Sequence, residues 1–271
     1  MILHQSGNSA VDELYNCYFY RNARWQMHYH RAYELVWVTE GELSATVEER
    51  TYLLHAGDGL LLFPYQLHAY ETAAHSSSYI TVFSGSYVGK FASLSSGRVP
   101  TDARFSLSER LCGVLRAYMT ENGTREGEGD CVLLPTPSPF AAKALLYAVC
   151  DEFLRTATLC PRKEGSALVH RILSYVEAHY AEDITLTGMA EALSYEYHYV
   201  SRVIRETLHM HFRTLVNQYR CEQEARLMDE TALPLSQIAT RCGFGSLRTF
   251  NRVFRRETDR TPSALRRGDG G

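Results

Sequence analysis

Hydrophobic residues change their period once along this chain. Over residues 1–105 they arrive in short runs: YELVWV (33–38), LSATVE (43–48), GLLLF (59–63) and SYITVFS (78–84), separated by glycines and polar turns. Short runs rich in β-branched, aromatic and leucine residues predict strands, and their close spacing predicts an antiparallel sandwich or barrel. From about Ser106 the spacing becomes helical. One stripe gathers Leu111, Val114, Leu115 and Tyr118; another gathers Ala144, Leu145, Ala148, Val149 and Phe153. The second stripe suits either packing within the domain or a dimer surface. Between them ENGTREGEGD predicts an exposed loop, and residues 156–165, TATLCPRKEG, predict a linker.

Beyond Ser166 the pattern is almost continuously helical. Helices are expected over 166–180, Leu186–Leu193, Tyr195–Leu208, Phe212–Met228, Gln237–Cys242 with Ser236 as its cap, and Ser246 to Glu257. Pro262 opens a last short one, where its missing N–H costs little. Gly243 sits where one short helix must stop, and glycine enters the left-handed region without a Cβ penalty. Two short helices joined so tightly cross steeply, as in a helix-turn-helix. The second helix buries Phe250, Val253 and Phe254, and offers Leu247, Arg248, Asn251, Arg252 and Arg255 elsewhere. An arginine-rich face on a projecting helix suits a DNA major groove. The layout occurs twice. Met189-Ala190 and Ile238-Ala239 each precede a turn and a helix carrying Arg-Val-(Ile/Phe)-Arg, at 202–205 and 252–255. Two such units joined by a rigid helix can meet successive major-groove faces, roughly 34 Å apart.

Composition narrows the class. The 271 residues are enough for two domains, and 45% hydrophobic with 22% charged residues is ordinary for a globular chain. The net charge of −3 excludes a protein that coats nucleic acid over its whole surface. Yet residues 231–267 hold eight arginines against only Glu257 and Asp259. Seven scattered cysteines without a CxxC pair fit reduced thiols rather than a disulfide framework or zinc finger. No apolar run approaches a membrane span, and the N-terminus lacks the marks of a secretory signal, so a cytoplasmic location is expected. Nucleophile-elbow, dinucleotide and phosphate-loop motifs are missing.

Residues 166–268 resemble the DNA-binding domain of AraC-type transcription regulators. The resemblance is carried by Ile238-Ala239, Gly243-Phe244, Ser246, Phe250, Arg252, Phe254 and Thr261-Pro262-Ser263. It implies that the third and sixth helices of this domain read DNA. His198 and Arg202 would read bases in the first unit; Leu247, Arg248 and Arg252 would do so in the second. Tyr197, Ser201 and Asn251 are neighbours able to touch bases or phosphates, while Arg205, Arg255 and Arg256 would meet the backbone. Two positions depart from the family: His209 replaces the usual glycine, and Ile204 the common phenylalanine. Leu247 can offer only a thymine-methyl contact.

In the first half, His28, His30, Glu34 and Gly41 form H-x-H-x3-E-x6-G, followed by Gly57-Asp58-Gly59, Pro64 and His68. These resemble the two cupin motifs, which implies a jelly-roll barrel. His28, His30, Glu34 and His68 are chemically competent for a first-row metal. AraC-type sensor domains use the barrel as an effector pocket instead, so no cofactor is expected. The candidate liners are His28, His30, Glu34, Trp37, Tyr65, His68 and Tyr70, a mixture that would suit a small polar metabolite such as a sugar. The expected fold is α+β: a cupin-like barrel (1–105), a helical connector (106–155), the linker and an all-α double helix-turn-helix domain. The expected partners are double-stranded DNA, the effector and a second copy through the connector, with RNA polymerase a further candidate. The competing reading is a metal-dependent cupin enzyme, a dioxygenase or isomerase, with a helical assembly domain.

Overall fold

A computed structural model of the chain describes residues 3–4, 14–121, 130–258 and 261–262. They fall into two compact units, Met1–Arg162 and Lys163–Gly271.

The first unit is a curled antiparallel sheet backed by helices. Its strands are β1 (Leu3–His4), β2 (Tyr15–Arg21), β3 (Trp25–Tyr29), β4 (Tyr33–Val47), β5 (Arg50–His55), β6 (Asp58–Leu62), β7 (His68–Glu71) and β8 (Ser76–Phe83). There follow α1 (Gly89–Ser95), β9 (Arg98–Pro100), β10 (Arg104–Ser106), α2 (Glu109–Glu121), β11 (Cys131–Leu133), α3 (Pro139–Thr156) and β12 (Leu159–Pro161). Neighbours run β1-β3-β7-β4-β8-β2-β11, with β5 and β6 also on β4. The runs 33–38 and 43–48, expected as separate strands, are one strand bent in the middle. A register shift between Val38 and Glu40, with Gly41 at φ 67°, lets β4 turn without breaking. A Cβ on Gly41 would sit 2.1 Å from the His75 carbonyl oxygen, so only glycine fits.

Alternation sorts the side chains into two layers. Cys17, Phe19, Tyr33, Leu35, Trp37, Tyr79 and Phe83 form an outer core with Phe91, Leu111, Leu115, Leu146, Val149 and Phe153 of α1–α3. Val36, Val38, Leu43, Ala45, Tyr70, Ile80 and Val82 pack on the inner side. The helices of 106–155 therefore spend their buried faces on the sheet. Of the second expected stripe, Val149 and Phe153 are buried, but Ala144 and Ala148 are exposed and Ala142 and Leu146 replace them. Residues 156–165 differ from a plain linker: Leu159–Pro161 pairs with β9, and the next helix begins at Glu164. Most of the expected loop 121–130 lies outside the described residues.

The second unit contains α4 (Glu164–His179), α5 (Leu186–Leu193), α6 (Tyr197–Thr207), α7 (Phe212–Glu230), α8 (Leu235–Arg241) and α9 (Leu247–Thr258). α7 packs on α4 as well as on α8 and α9. Arg220 of α7 donates from Nε and a terminal nitrogen to the carbonyls of Tyr180 and Glu182, each at 2.7 Å. α8 starts two residues before the expected Gln237 because Pro234 is its N-cap; Ser236 lies inside the helix and caps nothing. Ser246 is the residue that caps, accepting the Thr249 N–H at 3.2 Å ahead of α9. Of the helix expected to open at Pro262, all but Pro262 itself lies outside the described residues.

Between α8 and α9, Gly243 has φ 80°, and a Cβ there would approach the Ala181 and Tyr180 carbonyl oxygens to 2.7 and 2.8 Å. In the first helix-turn-helix, Ser194 occupies the left-handed region at φ 59°, and His209 after α6 does so at φ 52°. His209→Gly is accordingly expected to stabilise this unit by about 0.5–1 kcal/mol, since a side chain at positive φ carries strain. A thermal melting midpoint that stays put or drops would contradict that.

Candidate DNA-reading faces and effector cavity

α6 and α9 share a design. Val200, Val203 and Ile204 are buried on α6; Phe250, Val253 and Phe254 are buried on α9. The opposite sides are open. Tyr197, His198, Arg202 and Arg205 are exposed on α6, with Ser201 half-buried. On α9, Leu247, Arg248, Asn251, Arg252, Arg255 and Arg256 are all exposed. Side chains are ordered among themselves: the Arg202 guanidinium stands 5.4 Å from the Tyr199 ring centre, and the Tyr197 and His198 rings meet edge-on at 5.2 Å. The α6 N-terminus therefore presents an aromatic-basic face and the α9 face is more strongly cationic.

Arg252 and Arg256 also line a groove of about 580 Å³ together with Arg213, Thr214 and Asn217 of α7 and with Gly243. Sequence reading passed over Arg213 and Thr214 because they lie at the start of the connecting helix, outside the repeated motif. Their spacing from Arg252 exists only in the fold.

In the barrel, five candidates converge. His28 and His68 are directly paired across β3 and β7, with ring centres 4.0 Å apart. The His30 ring lies 5.0 Å from His68. Nε2 of His30 is 3.0 Å from Glu34 Oε2, and Nε2 of His68 is 3.6 Å from Glu34 Oε1. The buried Tyr70 hydroxyl donates to Glu34 Oε1. Burial pushes the Glu34 carboxyl up, but His68, the His30 hydrogen bond and His28 outweigh it and hold the group at about 2. Burial drives His68 down to about 3 against the pull of Glu34, and lowers His28. At neutral pH Glu34 is a carboxylate facing the neutral His28 and His68 rings, with a Tyr70 hydroxyl that burial and Glu34 keep protonated.

His28, Glu34 and Tyr70 line a cavity of about 140 Å³, completed by Tyr18, Tyr20, Trp25, Ile80 and Val82. Trp25 is partly exposed, edge-on to Tyr20 at 6.2 Å between ring centres. His30, His68, Trp37 and Tyr65, also expected among the liners, do not line this cavity; the two histidines pack beside it against Glu34. Trp37 falls one residue out of phase with Val36 and Val38, so it faces the outer core and stacks on Tyr79 at 5.4 Å. Tyr65 is buried in the turn after β6, at φ 63°, with its N–H bonded to the His30 carbonyl. Tyr18 and Tyr20 went unread because the strand NCYFYR was not recognised; its alternation with Cys17 and Phe19 is the signal that identifies them.

Two family models match the chain. The "AraC-like ligand binding domain" family matches residues 16–130, and a "Helix-turn-helix domain" family matches residues 189–268. The HTH-type transcriptional activator RhaS of Escherichia coli (strain SE11) is 22% identical over 251 residues, spanning 90% of this chain and 88% of the relative. ToxT from Vibrio cholerae has the same fold, with a TM-score of 0.54 over 93% of this chain and 97% of its own, at 15% identity. A structure of ToxT bound to an unsaturated fatty acid matches with a TM-score of 0.54 over 95% and 96%, at 14% identity. Among the described residues, no helix is long and apolar enough to cross a membrane. With a ligand-binding barrel ahead of a double helix-turn-helix unit, the chain belongs to the AraC-type transcription regulators.

Proposed function

We propose that this regulator senses a small polar molecule in the barrel cavity and adjusts its hold on specific DNA sites through α6 and α9. The observation that carries the reading is the pair of helices in one unit with apolar sides buried and Arg202, Arg248 and Arg252 left in solvent. His198, Arg202, Leu247, Arg248 and Arg252 read base edges. Tyr197, Ser201 and Asn251 support them, and Arg205, Arg255 and Arg256 neutralise phosphates. Arg213 and Thr214, which share that groove with Arg252, join the phosphate set.

The effector contacts His28, Glu34, Tyr70, Tyr18, Tyr20 and Trp25, with His30 and His68 behind them. A cavity of about 140 Å³ is close to one that holds a benzene-sized molecule, so the ligand is no larger than a monosaccharide. A carboxylate, a tyrosine hydroxyl and an aromatic ring at the mouth suit a sugar, which hydrogen-bonds at its rim and stacks its C–H face. The ligand acts by binding one arrangement of the protein more tightly than another. On this reading the barrel is a sensor rather than a catalyst, and the protein works in the cytoplasm. Phe140, Ala144, Tyr147 and Leu154 recur at heptad spacing on the exposed side of α3, which suits docking of a second copy and occupation of paired half-sites. By analogy with the RhaS relative, its output is activation, with RNA polymerase as the contacted partner.

Genome-wide footprinting of the chain, with and without a panel of monosaccharides, tests this directly. Protection at a shared sequence motif that one sugar strengthens or weakens is expected. Uniform protection proportional to DNA concentration would overturn the sequence-specific reading, and indifference to every panel member would overturn the sugar assignment.

A further inference from the structure

Five aromatic rings form a continuous run along the wall of the barrel cavity. From Tyr18 to Tyr20, Trp25, His28 and Tyr70, successive ring centres lie 5.9, 6.2, 5.8 and 6.4 Å apart. Their planes turn by 39, 88, 46 and 72° from one ring to the next. No pair in the run is stacked, so the rings do not cover one another's faces. All five line the cavity, together with Glu34, Ile80 and Val82. The face of an aromatic ring carries the negative end of its quadrupole. Glu34 adds a carboxylate, held in the lining by the Tyr70 hydroxyl and by His30 at 3.0 Å. No lysine or arginine is among the lining residues. The arginines that flank this stretch are engaged elsewhere. Arg21 stands 5.9 Å from the ring centre of Phe19, a member of the outer core, and Arg24 donates to the Thr72 carbonyl at 3.2 Å.

We infer that the cavity selects a compact organic cation, a protonated amine or quaternary ammonium group seated among Tyr18, Tyr20, Trp25 and Tyr70 with Glu34 as its counter-charge. Aromatic rings attract such a group through their faces, and the carboxylate adds a full opposite charge. An anion of the same size would meet the carboxylate and the ring faces with no basic side chain to receive it. The volume of about 140 Å³ is close to that of a cavity that binds benzene, so it admits a head group of about six heavy atoms. Buried Ile80 and Val82 close part of the wall with hydrocarbon, and attraction between a cation and a ring grows when water is excluded. Trp25 is partly exposed, which leaves room for the rest of the ligand to lead out. The inference rests on the sensor reading and narrows its ligand: among sugars, an amino sugar is the one the cavity prefers.

Isothermal titration of the full-length chain compares charged probes with neutral twins of similar shape: choline with 3,3-dimethylbutan-1-ol, and glucosamine with glucose. The charged member of at least one pair is expected to bind once per chain, about tenfold or more tighter than its twin. The choline pair reports a quaternary head and the glucosamine pair a protonated amine, which separates the two sources of the charge. Trp25→Leu should weaken that binding about tenfold, and Trp25→Phe should restore most of it. Trp25 is partly exposed, so both variants should keep the wild-type circular dichroism. Neutral twins that bind as tightly as the cations overturn the inference. So does a lack of uptake of either cation at millimolar concentration, or cation binding that a folded Trp25→Leu chain retains in full. Fluorescence anisotropy on a footprinted DNA site keeps the sensor reading apart. A neutral sugar that shifts DNA affinity while its amino counterpart does not sinks the charge preference alone. A cation that binds in the cavity without changing DNA affinity sinks the sensor assignment alone.

Discussion

Arg202→Ala combined with Arg252→Ala is expected to cost about 2–6 kcal/mol of specific DNA affinity while leaving the fold intact. Each arginine reading a base is worth about 1–3 kcal/mol, and the two sit on different helices, so their effects should add. Both side chains are exposed, and Arg202 stacks on Tyr199. The helical signal and melting midpoint should therefore hardly move. Binding to scrambled DNA should fall far less, because on the proposed reading Arg205, Arg213, Arg255 and Arg256 would still neutralise phosphates. Fluorescence anisotropy on a footprinted site and on its scramble, at two salt concentrations, measures both losses. If the two fall together, these arginines touch backbone and the base readers lie elsewhere on α6 and α9.

A second large effect concerns pH. Glu224 of α7 is fully buried, and among the described residues no group hydrogen-bonds either carboxylate oxygen. Burial raises its carboxyl from the ordinary 4.5 to about 9, with Arg220 pulling the other way. Below pH 4.5 the group is protonated in both folded and unfolded chains and makes no difference. Between about 4.5 and 9 the unfolded chain gives up the proton while the folded one keeps it, so stability falls by up to about 1.4 kcal/mol per pH unit. Glu224→Gln should remove that slope and leave the variant more stable than wild type at pH 8. Denaturant melts read by far-UV circular dichroism follow the helical unit. Tryptophan fluorescence reports the barrel, because Trp25 and Trp37 are the chain's two tryptophans. Equal slopes for wild type and Glu224→Gln would show that the carboxylate is solvated or paired.

The helical half was largely legible because its signals are local. The apolar period, Gly243 and the repeated Arg-Val-(Ile/Phe)-Arg placed α5, α6, α8 and α9 within two residues of their ends. The one cap misread, Ser236, failed because Pro234 is a stronger start signal two residues earlier. The barrel was harder. β2, β3, β5 and β7 mix aromatics with Asn, Arg, Gln and His, so they lack the continuous apolar runs that marked β4, β6 and β8. Missing β2 hid Tyr18 and Tyr20. Trp37 was assigned to the cavity by its chemistry when its parity with Leu35, rather than with Glu34, already put it on the other face. His28, His30, Glu34 and His68 could be grouped in advance because a motif with fixed spacing survives without knowing the register, whereas Tyr70 was picked only for its chemistry.

β4 has one more consequence. Glu34 grips the ligand chamber while Tyr33 and Leu35, its immediate neighbours, are wedged among Phe63, Phe91 and the rest of the aromatic packing under α1 and α3. A carboxylate drawn inward by a fraction of an ångström cannot leave those flanking rings where they were. On the proposed sensor reading, a ligand that shifted Glu34 would be felt in the packing under α3 through the peptides on either side of that residue.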